Sequence, residues 1–252
     1  MACSKDIFEF INTIAPFEAQ EKWDNSGFLV GDTDRQCNKI ALCLDITSEM
    51  IEKAKEQRCD LIISHHPVIF GKTGSFLKDD LPFKLAVSGI SAICAHTCLD
   101  IAQGGVNDVL AQLLELEDIT AVCMDGVVMP RAGRLKKAMN AREFAEFVKA
   151  KLGCDAVRCN KLDKEINTVV LCGGSGGSFL PDVIAGKYDA FVTGDAGHHN
   201  FLDASEKGLL LVAAGHFETE NPVMSAVEKA INDRFPDIET VLLTQTSPIE
   251  FI

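Results

Sequence analysis

The chain has 252 residues, 47% hydrophobic and 24% charged, and its formal net charge is −13. These proportions are typical of a globular protein with one large core or two smaller lobes, and they exclude a disordered chain. Because the acidic balance leaves no basic stripe that could displace counterions, we expect no nucleic-acid partner. The apolar runs are only of strand length and the N-terminus has no signal-peptide pattern, so we expect no membrane contact.

The ten cysteines are scattered along the chain. None of them forms a CxxC pair, which argues against a zinc ribbon. Cysteine is then used mainly as a small buried apolar residue in a reducing compartment, and we predict a cytoplasmic protein. The basic cluster at residues 131–137 is interpreted as a solvated loop.

The predicted elements alternate between short apolar strands and amphipathic helices. Ser4 can cap a first helix whose apolar face contains Ile7, Phe8, Ile11 and Ile14. The rest of the first half has predicted strands at 28–30, 40–44, 61–63 and 91–95, and predicted helices after Thr47, at 83–87 and at 106–116.

The second half continues this alternation. Asn140 and Glu143 form a capping-box pair at the start of a helix that ends near Leu152, with Gly153 at its C′ position. Later strands are predicted at 168–172, 190–193, 209–213 and 241–243, and helices at 180–185, before residue 208, and from Asn221-Pro222 to about 234. The alternation predicts an α/β fold with largely parallel sheets covered on both faces.

A weak internal repeat suggests how the chain is organised. The strand series 40–44, 61–66 and 91–96 is followed in the same order by 168–173, 190–195 and 209–216. A duplication would give a single domain of two related three-layer α/β lobes, about 1–125 and 126–252, that meet at a shared cleft. Similarity over three strands can also arise by chance.

Potential metal ligands follow four predicted strands, where ligands collect in parallel α/β sheets. All six histidines lie in these segments. In chain order the segments hold His65 and His66, then His96 and Asp100, then Asp195, His198 and His199, then His216, Glu218 and Glu220. Imidazole and carboxylate groups suit divalent Fe, Mn, Zn or Ni.

Each group of ligands also has a purely structural interpretation. His65-His66 could form a turn. His96 and Asp100 could hydrogen-bond each other, and His216 and Glu220 could form a salt bridge at a helix start. Recurrence at equivalent strand ends favours metal binding, and adjacent histidines that project in different directions suit two ions about 3.5–4 Å apart. His198-His199 could simply face solvent.

Three further features have open interpretations. The glycine-rich turn at 173–177 could hold a phosphate with backbone N–H groups or serve only as a tight packing turn. The polar loop at 23–27, with the only Trp of the chain, could line the cleft or pack against the first helix. Cys98 could lie near the metals, although a buried thiol is favoured.

A series of short motifs is distributed along nearly the whole chain. They are Glu21-Lys22-Trp23-Asp24-Asn25, Gly31-Asp32, Ser64-His65-His66-Pro67, Ala95-His96-Thr97, Leu99-Asp100, Gly105-Val106-Asn107-Asp108, Cys172-Gly173-Gly174-Ser175-Gly176, Thr193-Gly194-Asp195 and Ala214-Gly215-His216. This ordered set resembles the NIF-three-like family, whose members are often labelled GTP cyclohydrolase 1 type 2 homologue.

The resemblance implies a two-lobed α/β fold with two divalent metal ions in the cleft between the lobes. The ligands carried over by position are His65, His66, Asp100, His216 and Glu220. Family members form ring-shaped hexamers, so a homohexamer is expected. The segment 125–165 is too short for the extra domain that some members insert between their halves.

The chain departs from the family pattern at two places. Cys98 stands where Asn is common, which could alter hydrogen bonds to the ligands. The stretch after His216 varies in the family, so Glu218 remains an alternative to Glu220.

Two hypotheses about function follow. The first is a metal-dependent hydrolase acting on a small polar substrate, for which a nucleotide-like molecule is a candidate. His96 is then the first candidate for general acid or base, and His199 is the next. The second is a non-catalytic, metal-binding ring oligomer that stores or delivers metal or docks a protein partner.

Overall fold

The structure is a computed structural model that describes residues 2–71 and 73–252. Contacts divide it into two units. Unit 1 comprises the residues up to Gly105 together with Val223–Gln245, and unit 2 comprises Val106–Pro222 with Thr246–Ile252. Among the described residues, no helix combines the length and the apolar character that crossing a bilayer requires.

The helices and strands follow one another in close alternation. The chain begins with α1 (Ser4–Ile14), β1 (Gly27–Val30), β2 (Lys39–Cys43), α2 (Ser48–Glu56), β3 (Leu61–Ser64), α3 (Leu81–Ser88), β4 (Ser91–Cys94) and α4 (Thr97–Ile101). It continues with α5 (Val106–Leu113), β5 (Leu116–Ala121), β6 (Arg131–Asn140), α6 (Ala141–Leu152), β7 (Arg158–Cys159), β8 (Glu165–Cys172), α7 (Leu180–Ala185), β9 (Ala190–Thr193), α8 (His198–Glu206), β10 (Leu210–Ala213), α9 (His216–Glu220), α10 (Val223–Arg234) and β11 (Glu239–Leu242).

Unit 1 is built on a sheet with the strand order β1-β4-β3-β2-β11. The neighbours from β4 to β11 run parallel, and β1 is antiparallel to β4. Ser64 is in register with Cys43 on one side and Cys94 on the other. The carboxyl ends of β2, β3 and β4 therefore lie side by side, and the residues that follow them emerge at one edge.

Unit 2 is built on a sheet with the strand order β5-β6-β8-β9-β10-β7. Its centre, β8-β9-β10, is parallel, and the pairings of β5, β6 and β7 are antiparallel. Thr193 is in register with Cys172 and Ala213, so the chain leaves these three strands at the same edge. The predicted α/β fold is confirmed, with the parallel arrangement of the second sheet limited to its central strands.

The core of unit 2 explains why the sequences of its central strands contain continuous runs of apolar residues. Val169 and Leu171 belong to a cluster with Phe144 of α6 on one face of the sheet. Val170 belongs to a second cluster on the other face, together with Phe179 and side chains of α7 and α8. Because both faces are covered, the successive residues 169–172 of β8 are all buried.

Helix ends follow the predicted capping chemistry. The Thr47 hydroxyl accepts a hydrogen bond from the Met50 amide at the start of α2. The Asn140 side chain accepts from the Glu143 amide, and Gly153 ends α6 in the left-handed conformation with φ 66°. Helix α1 begins one residue earlier than predicted, because its N-cap residue is Cys3 and not Ser4.

The interpretation of residues 131–137 as a solvated loop was wrong, because they belong to the strand β6. Antiparallel pairing with β5 and β8 exposes part of the strand, so basic and apolar side chains can share it. Arg131 is buried and forms an ion pair with Asp108, and Arg134 lies 3.0 Å from Asp118 at the surface. The predicted helix 106–116 also ends earlier, at Leu113, and β5 begins at Leu116.

The boundaries of the two units differ from those of the predicted lobes in two places. Helix α5 packs against β5, β6 and β8 and therefore belongs to unit 2, which moves the division from about residue 125 to Gly105. Near the C-terminus, β11 pairs with β2, and α10 packs against both of these strands. The segment Val223–Gln245 consequently returns to unit 1.

Candidate functional site

Three histidines of unit 1 converge where β3 and β4 end. His65 and His66 follow β3 directly, and His96 lies two residues beyond β4. Their potential ligand nitrogens all lie within 4.8 Å of one another. Asp100, in α4, places a carboxylate oxygen 3.5 Å from His65 Nε2. The parallel register of β3 and β4 thus brings together the residues that the sequence placed at strand ends.

Each of these imidazole rings is fixed through its Nδ1 atom. His65 Nδ1 lies 2.9 Å from the Ala95 carbonyl oxygen, and His66 Nδ1 lies 2.7 Å from a carboxylate oxygen of Asp45. Since a carbonyl oxygen only accepts, Nδ1 of His65 donates, and the lone pair of the neutral ring is on Nε2. Metal-binding histidines are held in this way, so the donor set of unit 1 fits a divalent ion.

His96 is fixed by a buried carboxylate of the loop between α1 and β1. Asp24, whose side chain is fully buried, lies 2.7 Å from His96 Nδ1. Asp24 also accepts hydrogen bonds from the Thr97 amide and hydroxyl and from the Asn25 amide. Burial alone would raise the pKa of Asp24, but the hydrogen bonds from His96 and Thr97 outweigh it and hold the pKa well below its usual range.

Asp24 therefore connects the polar loop at 23–27 to the histidine group. Sequence reasoning left the role of this loop open and missed Asp24, because 72 residues separate it from His96. Asp45 was missed as well, although it follows β2 at the same sheet edge as His65 and could have been found by the rule that found the histidines.

Replacing Asp24 with Asn is expected to lower the free energy of unfolding by about 2 kcal/mol near pH 7, because an amide cannot accept all the hydrogen bonds that the buried carboxylate accepts. The folded-state pKa of Asp24 lies below its ordinary value of 3.8. The stabilisation is therefore complete above that value and is lost as the pH falls through the lower folded-state pKa.

Denaturant unfolding of the wild type and the Asp24→Asn variant at several pH values measures this effect. Asp34→Asn, at an exposed position of the following loop, is the control and should be nearly neutral. A difference between wild type and Asp24→Asn that persists unchanged down to about pH 2 would contradict the assignment.

Unit 2 carries a second pair of potential ligands just after β10. His216 and Glu220 lie one helical turn apart in α9, with His216 Nε2 at 3.1 Å from Glu220 Oε2. Asp195, which follows β9, lies 2.7 Å from His216 Nδ1. His216 is thus fixed like the histidines of unit 1, with Nε2 directed at a carboxylate, and this pair also suits a divalent ion.

The two glutamates of α9 have different surroundings. Glu220 is 4% exposed, and its carboxylate packs on the backbone of Gly174, where an added Cβ would lie 2.0 Å from Oε1. The carboxylate of Glu218 lies against Gly215 instead, where an added Cβ would lie 2.0 Å from Oε2. Glu220 places its Oε2 atom 3.1 Å from Nε2 of His216.

The glycine-rich turn at 173–177 uses several backbone amides for packing. The Gly173 amide donates to Asn107 Oδ1 at 2.8 Å, and the Gly174 amide donates to Thr219 Oγ1 at 3.1 Å. The Gly176 amide donates to Thr193 Oγ1 at 2.9 Å. These contacts favour the interpretation as a packing turn that supports α9, because the same amides cannot also cradle a phosphate.

The remaining candidates lie in different surroundings. His198 and His199 are exposed in the first turn of α8, and His199 lines an open cleft of about 590 Å³ with Ser175 and Asp195. Among the described residues, neither histidine belongs to a group of three or more potential ligands. Cys98 is fully buried, and burial raises the pKa of its thiol to about 11, so it remains protonated.

Comparisons with known proteins agree with the fold. A Clostridium perfringens protein named GTP cyclohydrolase 1 type 2 homolog is 34% identical over 260 residues, which covers 98% of each chain. The solved structure of reduced HcgD from Methanocaldococcus jannaschii is similar, with a TM-score of 0.83, 29% identity, and coverage of 96% of this chain and 98% of that one.

The fold is also found in a hypothetical protein, SA1388, from Staphylococcus aureus. Its crystal structure superposes with a TM-score of 0.91 at 25% identity and covers 99% of both chains. The sequence pattern of the family Duf34/NIF3 (NGG1p interacting factor 3) matches residues 2–248, nearly the whole chain. The chain therefore belongs to the Duf34/NIF3 family.

Proposed function

We propose that this chain is a dinuclear-metal-dependent hydrolase that acts on a small polar substrate, with a nucleotide as the first candidate. Two divalent ions, of Fe, Mn, Zn or Ni, would be held by His65, His66, Asp100, His216 and Glu220. The observation that carries the proposal is the anchoring of every histidine in this set through Nδ1, so that Nε2 would be the nitrogen that binds an ion.

The carboxylates support the same assignment. Asp100 and Glu220 are nearly buried, and each places an oxygen within 3.5 Å of the Nε2 atom of a histidine in its own unit. A divalent ion would neutralise these carboxylates and share their oxygens with the imidazoles. Glu220 is preferred to Glu218 as a ligand because its carboxylate is adjacent to His216 Nε2.

His96 is proposed as the general acid or base. The ions would supply a water molecule whose pKa is lowered to about 7 and would polarise the bond to be cleaved. Ionised Asp24 accepts from Nδ1 of His96, so Nε2 is the atom that can take up a proton and later return it. The same carboxylate would stabilise the ring while it is protonated. His199 remains the second candidate for proton transfer.

One observation favours the alternative of a metal-storing or partner-docking protein without turnover. His96 Nε2 could serve as a further ligand, because His65, His66 and His96 offer nitrogens within 4.8 Å of one another. An ion capped entirely by protein would have no open position for water or substrate. A homohexamer and a cytoplasmic location are proposed for both functions, on the family resemblance and the cysteine usage.

The test is metal content per chain, measured by elemental analysis on protein purified without an affinity tag, together with a hydrolysis screen over nucleotides and phosphate esters. We expect about two ions per chain and an activity that a chelator removes and added metal restores. Two ions without turnover would support storage. Metal-free protein, even after reconstitution, would overturn both versions of the proposal.

A further inference from the structure

We infer that Trp23 and Phe70 form a platform that receives a planar ring of the substrate beside His96. This inference rests on the proposed function, because it names the part of the substrate that unit 1 recognises. The Trp23 ring lies edge-on to Phe70 at 6.0 Å and edge-on to His96 at 5.8 Å between ring centroids. The single tryptophan of the chain thus touches the histidine group directly.

The exposure of the two rings points to a ligand. Trp23 is 58% exposed and Phe70 is 59% exposed, although both are large apolar side chains. Adjacent apolar rings at the surface leave area exposed to water that a ligand or partner can cover. Because the pair adjoins His96, the most direct occupant is the molecule on which His96 would act.

The platform is held in place by its neighbours. Asp24, next to Trp23, is fully buried and bonded to His96 and Thr97. The side-chain amide of Asn25 donates to the Ile69 carbonyl oxygen at 2.8 Å, which links the loop of Trp23 to the loop of Phe70. The rings are therefore positioned before a ligand arrives, which reduces the entropy lost on binding.

The chemistry of the platform selects a planar ring over other groups. Aromatic side chains bind flat, unsaturated rings through stacking and dispersion, as they do with nucleobases. The adjacent histidines are anchored by the carboxylates of Asp24 and Asp45. Because these carboxylates are negatively charged, the surface around Trp23 and Phe70 offers little attraction to a phosphate. We therefore assign the base of a nucleotide-like substrate, and not its phosphate, to Trp23 and Phe70.

Tryptophan fluorescence gives a direct test because Trp23 is the sole tryptophan. The protein as isolated and the same protein after chelation are titrated with the four common ribonucleoside monophosphates and with ribose phosphate, which lacks a base. We expect saturable quenching by at least one nucleotide and none by ribose phosphate. Phe70→Leu, which keeps apolar volume but removes the aromatic face, should raise the Kd about tenfold.

The matched control is Phe83→Leu, which changes an exposed Phe on α3 and should leave the Kd unchanged. Metal content, measured on every variant, should equal that of the wild type. Equal quenching by ribose phosphate would overturn the inference. Quenching that increases with protein concentration would also overturn it, because it would mean that a second copy of the chain covers the rings.

Two results separate this inference from the proposed function. Metal-dependent hydrolysis without any base-dependent quenching would overturn the platform and leave the hydrolase standing. Base-dependent quenching in a protein that never binds metal would support the platform and remove the dinuclear centre.

Discussion

Replacing both His65 and His216 with Ala is expected to lower bound metal from about two ions per chain to nearly none. Each substitution removes an imidazole whose Nδ1 is already fixed by a neighbour, so no other side chain can take its place without rebuilding that contact. Elemental analysis of the purified variant measures the loss. Circular dichroism measures whether the variant stays folded, and sedimentation measures whether its assembly state equals that of the wild type.

The position of His65 calls for a second variant. His65 is fully buried, so its truncation also leaves a cavity and could unfold the protein. His66 and His216 have side chains that are 22% and 35% exposed, and the double variant His66→Ala with His216→Ala is expected to fold while losing the same metal.

His198→Ala with His199→Ala is the matched control, because it removes two exposed histidines of α8. It should retain the full metal content. Full metal occupancy in either ligand double variant would show that these residues do not hold the ions. An equal loss of metal in the control would show that histidine content, and not the assigned set, governs binding.

In parallel α/β sheets, ligands collect beyond the carboxyl ends of the strands. This rule explains how much of the candidate site could be predicted. His65, His66 and Asp100 are brought together because β3 and β4 are adjacent and parallel, and both facts follow from buried apolar strands that alternate with helices. The same rule places His216 near Asp195 through the pairing of β9 and β10. These contacts are fixed by local patterns and one rule of topology.

The anchors that join residues far apart in the sequence could not be predicted. Asp24 and Thr219 act through hydrogen bonds to residues that no local periodicity connects with them, at separations of 72 residues for Asp24 and His96 and 45 residues for Thr219 and Gly174. The strand β6 was missed for a different reason. A half-exposed antiparallel strand carries basic side chains, so its sequence resembles that of a loop.

The contact between His216 and Glu220 in unit 2 depends on a glycine whose role is visible only in three dimensions. Gly174 has a positive φ of 59°, and the carboxylate of Glu220 occupies the space where a side chain would begin. A Cβ at this position would lie 2.0 Å from Glu220 Oε1 and 3.3 Å from His216 Cε1. The absence of a side chain at Gly174 thus permits the carboxylate to reach Nε2 of His216.

Gly174→Ala is therefore expected to weaken metal binding about 10- to 100-fold, the size of effect seen when groups that position metal ligands are lost. Its cost in the free energy of unfolding should be only about 1–2 kcal/mol, the price of a left-handed residue with a side chain. The end of the flexible Glu220 side chain can move away from the new methyl group, so the collision displaces the ligand without unfolding the chain.

Gly153→Ala separates these two effects. Gly153 has a similar φ of 66°, and an added Cβ there meets nothing within 4 Å. Both variants should lose similar amounts of stability in denaturant unfolding, while only Gly174→Ala should weaken metal binding in titrations against a competing chelator. If both variants bound metal as tightly as the wild type, Glu220 would not be a ligand. If both bound it more weakly to the same degree, backbone strain would be the cause, and the contact between Gly174 and Glu220 would have no part in the site.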